Sequence, residues 1–214
     1  MVGLLEIPMF PLGWPFLPTD KVILQVFEPR YVALMREIES RPLEDTEGFA
    51  TVMIERGSEV GGGDDRSTLG VLVSVKAIRW VSLHRAAVLG QAQNVIEVLA
   101  WRDDDPFPRA VIEVHPWITD ALDGPMAIAY SAACVAVSEL RMLAFEAGVA
   151  IDPTAEIGIP TDGVSNSVWA LCAAAPLGEQ DRYRLLGVND DTDRLRVLEL
   201  MCRQRAETYR FGQD

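Results

Sequence analysis

The hydrophobic pattern changes period once along the 214-residue chain, near residue 118, and this change limits the fold more than any other feature. Before it, short apolar runs of β-type composition are separated by turn residues: KVILQVF (21–27), FATVMIE (49–55), LGVLVSVKAIRWVSL (69–83), NVIEVLAW (94–101) and RAVIEVHPW (109–117). In RAVIEV, Ala110, Ile112 and Val114 fall on one side of an extended chain and Val111 and Glu113 on the other, because successive strand side chains point to opposite faces. Breaks are expected at Gly57–Asp65, at Gly90 and at Asp103–Pro108. Five or more such strands with no helical periods between them predict a mostly antiparallel sheet that closes into a barrel. One helix interrupts it: EPRYVALMREIES spaces Tyr31, Leu34, Met35 and Ile38 by three and four, and Pro29 suits the first turn, where its missing N–H costs nothing.

After residue 118 the period is 3.6. PMAIAYSAACVAVSELRMLAFEAG predicts a long helix closed by Gly148, and SNSVWALCAAA a shorter one with a Ser or Asn cap, stopped by Pro176. EQDRYRLLG follows as another, and DTDRLRVLELMCRQRAETYRF aligns Leu195, Leu198, Met201 and Cys202 on one face, capped by Asp191 or Thr192. The predicted class is α+β: a barrel domain with one inserted helix over 1–118 and a helical bundle over 119–214.

Composition removes several functions. The 32 acidic and 19 basic residues give a net charge of −13, which repels a phosphate backbone unless the cations cluster, and no cluster is visible in the sequence, so no nucleic-acid partner is expected. Lys21 and Lys76 are the only lysines, so nearly all positive charge sits on arginine, read as a compositional bias. The most apolar stretch, PMAIAYSAACVAVSEL, is interrupted and reads as too short to span a bilayer, and MVGLLEIPMF lacks the basic start and cleavage site of a signal peptide. No membrane partner and a cytoplasmic location are therefore expected. Cys134, Cys172 and Cys202 are odd in number and far apart, which fits small buried hydrophobes rather than disulfides.

IPMFPLGWPFLPTDKVILQVFEPRYVALMREI closely resembles the opening of the Lon protease N-terminal substrate-binding domain, in which a PLFPL strand leads to a FEPRY strand-to-helix junction. MIERGSEVGGGDDRSTLGVLVSV is similar to that family's glycine-containing hairpin and following strand, and DDDPFPRAVIEV to its DEPYPVAEVE segment. The resemblance covers the first 115 or so residues well and the helical remainder more loosely. It implies a PUA-like β-barrel plus a helical bundle, and a non-enzymatic, stand-alone module that recognises unfolded or extended polypeptide segments, with a protease as a further partner. The family's G-x-x-R-x-R strand is missing: AQNVIEVLAW has Ala92 and no arginine before Arg102.

Catalytic machinery is not legible. GSEVGGGDD at 57–65 has glycines but no lysine, and Asp64 and Asp65 repel phosphate, so it reads as a hairpin turn and not a nucleotide loop. Neither lysine follows a serine at the spacing of a Ser–Lys peptidase dyad, and no G-x-S-x-G elbow occurs. His84 and His115 are isolated, and DDD (103–105) and NDDTD (189–193) lack the alternate-ligand spacing of a calcium loop; they read as a turn and a helix cap. No metal and no cofactor are expected.

Binding is legible only as geometry. Prolines at 8, 11, 15 and 18 each lack an N–H, so the first strand cannot be central and fully paired. An irregular edge with exposed apolar groups suits the docking of an extended peptide, and Met9, Phe10, Trp14, Phe16 and Leu17 are its candidates. In VFEPRY, Phe27 is expected to face the core, Glu28 and Arg30 to flank the turn and bond to each other or to backbone, and Tyr31 to pack beneath; Phe27, Glu28, Arg30 and Tyr31 complete the candidate set. The groove is expected between barrel and helices, and the competing expectation is that Met9, Phe10, Trp14, Phe16 and Leu17 plug the barrel end or the seam with the helices. Alternatives are a small-molecule- or RNA-binding barrel, or a hydrolase with a site at the barrel–bundle seam.

Overall fold

A computed structural model describes residues 4–41, 48–57, 65–115, 124–154 and 164–212. The backbone forms two compact units, Met1–Pro116 and Trp117–Asp214. The class is α+β, with one antiparallel six-stranded sheet and five helices among the described residues.

The first unit runs β1 (Leu4–Pro8), β2 (Lys21–Val26), α1 (Pro29–Glu39), β3 (Phe49–Arg56), β4 (Asp65–Ser82), β5 (Arg85–Trp101) and β6 (Arg109–Val114). Its strand order is β1-β6-β5-β4-β3, with β2 paired to β5 off this path. The expected break at Gly90 does not occur: β5 is a single 17-residue strand opposite the 18-residue β4. Gly90 serves close approach instead, since a Cβ there would lie 2.7 Å from Val73 Cγ1. Bulges between Val71 and Val73 and between Val75 and Ala77 bend the hairpin. The first half of β5 can then pair with β2 and the second half with β6.

The hydrogen-bonded ladder is not closed into a barrel. The prolines explain how far it goes: β1 ends at Pro8, and Pro8 and Pro11 each lack the N–H that a continuous ladder to β3 would use. Met9 N–H donates to Pro108 C=O at 2.8 Å, whereas Phe10 and Leu12 donate to Ala50 and Val52 C=O at 2.8 and 3.0 Å. These make two isolated parallel bridges to β3 rather than a strand. The bridged region covers a core that includes Ile7, Met9, Ala50, Val52, Ile96 and Ile112.

The turn before β2 is locally specified. Thr19 adopts a left-handed φ of 74°, and the Asp20 carboxylate accepts from Leu17 N–H at 2.8 Å. Gln91 Nε2 ties this turn to β5 by donating to Thr19 C=O at 2.5 Å. Helix α1 starts where expected, with Pro29 in the first turn after the extended Glu28, and buries Tyr31, Val32, Leu34 and Met35, while Ile38 is half-buried. It is fixed to the far end of the hairpin, as Trp80 Nε1 donates to the Glu39 carboxylate at 3.0 Å and Arg36 donates to Leu83 C=O at 2.7 Å.

In the second unit, α2 (Gly124–Glu146) packs on α5 (Asp191–Phe211), with α3 (Val164–Ala174) and α4 (Glu179–Leu186) against them. Gly148, at φ 87°, follows α2 as its left-handed terminator. The cap of α5 is Asp190, one residue earlier than expected: its carboxylate accepts from Asp193 N–H at 2.9 Å. Asn166 and Ser167 lie inside α3 and do not cap it. By length and composition α2 is apolar enough to cross a membrane, contrary to the expectation from sequence, yet Ala129, Ala133, Ala136, Val137, Leu140 and Ala144 are buried as a core face. Arginines are built into this unit. Arg194 is 5% exposed, lies 4.0 Å over the Trp169 ring, and bonds to the Asp191 carboxylate and to Leu185 and Val188 carbonyls.

Candidate functional site

Two adjoining depressions, of about 180 and 330 Å³, lie in the first unit and share Gln25, Val26 and Phe27. The smaller adds Phe10, Leu12, Ile23, Glu28 and Tyr31 to its walls, and the larger adds Val81 and Arg85.

Strand alternation builds this surface. On β2, Val22, Leu24 and Val26 are buried, so Lys21, Ile23 and Gln25 point to the opposite face and Phe27 continues outward. Phe27 is therefore 53% exposed and does not enter the core, as had been expected from its apolar neighbours. Ile23 is exposed as well, opposite Leu89 of β5. The floor is rigid. Phe10 and Tyr31 are both buried, their rings stacked with centroids 3.8 Å apart, and the Arg30 guanidinium lies 4.5 Å from the Tyr31 centroid. Arg30 Nε donates to Glu28 Oε2 at 3.1 Å, so the pair that flanks Pro29 fixes the helix entry as expected.

Of the nine candidates, Phe10, Phe27, Glu28 and Tyr31 line the smaller depression, and Arg30 stands behind it. Met9 and Leu17 are fully buried core residues; the bridge to β3 and the turn at Thr19 turn them inward, so they are not contacts for a guest chain. Trp14 is 44% exposed and Phe16 half-buried, and neither lines the depressions. The groove lies within the first unit, bounded by residues 10–12, β2 and the start of α1. Sequence reasoning missed Leu12, Ile23, Leu24, Gln25, Val26, Val81 and Arg85; the alternation of KVILQV was the signal for Ile23 and Gln25.

The edge of β2 is the second feature. Its partner is β5, and among the described residues nothing pairs with its other side. Ala92 N–H donates to Asp20 C=O at 2.9 Å, so Asp20, Val22, Leu24 and Val26 direct their main-chain groups at β5. Lys21, Ile23 and Gln25 then direct theirs to the open side, beside the groove. No group of three or more His, Cys, Asp or Glu among the described residues could hold a metal ion. Residues 58–64, most of the segment read from sequence as a hairpin turn (57–65), lie outside the described residues.

The α+β fold of this chain is like that of solved Lon N-terminal domains. A Lon N-terminal domain protein from Xanthomonas campestris has 20% identity and a TM-score of 0.63, over 91% of this chain and 96% of that one. The N-terminal domain of a Mycobacterium avium complex Lon protease has 15% identity and a TM-score of 0.59, over 92% and 98%. The chain belongs to the ATP-dependent protease La (LON) substrate-binding domain family, whose model it matches over residues 6–203. That family is a non-catalytic substrate-binding module. No curated protein matches the chain by sequence.

Proposed function

We propose that this protein binds extended segments of unfolded polypeptides in the groove beside β2, as a non-enzymatic recognition module that hands them to a protease in the cytoplasm. The observation that carries the reading is the open side of β2, lying beside an apolar groove lined by Phe10, Leu12, Ile23 and Phe27. Main-chain pairing at a strand edge gives affinity without regard to sequence, and pockets for alternate side chains add selectivity. A guest strand placed there would extend the order β4-β5-β2 by one. The parallel bridges from residues 9–12 to β3 support a barrel-like closure on the far side of the same sheet, of the kind PUA-like domains have.

The test uses the full chain and a labelled, permanently unfolded polypeptide. Saturable binding is expected at tens of micromolar or tighter. A short apolar peptide N-methylated at alternate residues should bind when the methyl groups face away from β2 and fail in the opposite phase. Equal binding in both phases overturns strand addition, and no saturable binding of any unfolded chain overturns the function.

A further inference from the structure

The solvent face of β2, β5 and β4 next to the groove has a charge that the rest of the molecule does not. From residue 66 to residue 96 the chain holds four basic side chains, Arg66, Lys76, Arg79 and Arg85, and no acidic one, although the whole carries −13. β2 adds Lys21 and no carboxylate. Register decides which of these meet. Lys21, Ile23 and Gln25 stand opposite Gln91, Leu89 and Ala87 of β5, and Leu89 and Ala87 stand opposite Ala77 and Arg79 of β4. Directly opposed residues of an antiparallel sheet share a face, so Ile23, Leu89, Ala77 and Ala87 form an apolar centre. Alternation along β5 places Arg85 on the same face as Ala87 and Leu89. Lys21, Arg79 and Arg85 form its rim, all three exposed and none in an ion pair among the described residues. These cations come from three strands and share one face only in the fold, Arg79 and Arg85 near one end of β2 and Lys21 at the other.

This deepens the peptide-binding reading, on which it rests. We infer that the preferred guest is an extended segment in which apolar and acidic residues alternate. A strand added to β2 places every second side chain over the groove walls at Phe10, Leu12 and Tyr31, where apolar groups are accommodated. The intervening side chains lie on the solvent face, beside Ile23 and between Lys21 and Arg85. Charge complementarity favours carboxylates at those positions and rejects cations. The open main-chain edge selects a polypeptide over other anionic polymers, since a nucleic acid has no strand with which to extend the sheet.

The test compares two labelled peptides of equal length, alternating apolar residues with Glu in one and with Lys in the other, titrated against the full chain by fluorescence anisotropy. At low salt the Glu peptide should bind about tenfold more tightly, and the gap should close as screening increases at about 0.5 M salt. The double variant Lys21→Glu with Arg85→Glu should reverse the order, and its unchanged circular dichroism would exclude misfolding as the cause. Equal affinity of both peptides at low salt overturns the charge preference and leaves peptide binding standing. Binding of neither sinks both. Displacement of the Glu peptide by a single-stranded RNA that itself binds more tightly reassigns the cationic face to nucleic acid and overturns the inference.

Discussion

Phe27 separates the binding reading from a purely structural one most sharply, because it is the aromatic wall shared by both depressions and still faces water over 53% of its surface. An aromatic side chain buries about 150–250 Å² when enclosed, so the exposed half amounts to about 100 Å². At about 25 cal/mol per Å², covering that half with a guest chain contributes about 2.5 kcal/mol. Phe27→Ala should then raise Kd for an unfolded polypeptide by about 60-fold. The same change should move folding stability by only about 0.5 kcal/mol, as a half-exposed ring outside the core leaves no enclosed cavity. Phe10→Ala is the counterpart: that ring is buried against Tyr31 and Phe49, and its loss should cost about 3–5 kcal/mol of stability. Titration by fluorescence anisotropy, with chemical denaturation of each variant in parallel, reads both quantities. A Phe27→Ala protein that binds within about twofold of the wild type at unchanged stability refutes the assignment of the groove, because the area argument leaves no room for so small an effect.

Three further outcomes follow from the packing. A Cβ at Gly70 would lie 2.0 Å from the Thr51 carbonyl oxygen, and backbone cannot yield as a side-chain tip can, so Gly70→Ala should destabilise by about 3 kcal/mol or more in a denaturant titration. Burial raises the Glu37 carboxyl, but hydrogen bonds and charge from Arg41 and Arg109 outweigh it and hold the group below its ordinary 4.5. Stability from that lowered value is present above 4.5 and lost as pH falls through the folded value, so the deficit of Glu37→Gln against wild type should shrink in acid; a deficit constant with pH contradicts it. Burial pushes the Cys172 and Cys202 thiols up to about 12, so at about pH 8 an aromatic disulfide reagent should titrate at most the half-buried Cys134 in the native protein and all three thiols in denaturant.

Local periodicity made the elements readable, and non-local geometry hid the rest. Helix α1 and the four later helices follow directly from apolar spacing, Pro29 and Gly148. Gly90 reads as a break from sequence because glycine marks both turns and close strand contacts, and only Val73 on the neighbouring strand tells them apart. Phe27 faces outward because the alternation set by the buried Val22, Leu24 and Val26 continues through it, not inward as the sequence suggests. Met9 and Leu17 have the right composition for a binding edge, but Met9 is turned inward where residues 9–12 reach β3, some forty positions away in the chain, and Leu17 by the turn that Asp20 holds. The cationic face is hidden for the same reason: Lys21 and Arg85 flank opposite ends of one face only through the register of β2 on β5.

The open side of β2 also bears on how the protein tolerates its own company. Unpaired strand edges invite identical molecules to join, and natural sheets guard against this with charge. If two copies met through β2, their solvent faces would merge into one continuous sheet, bringing the Lys21, Arg79 and Arg85 of each together with no carboxylate between them. Mutual repulsion of those faces makes self-stacking unfavourable at low ionic strength and less so in concentrated salt, so the side chains that would greet an acidic visitor also discourage a twin.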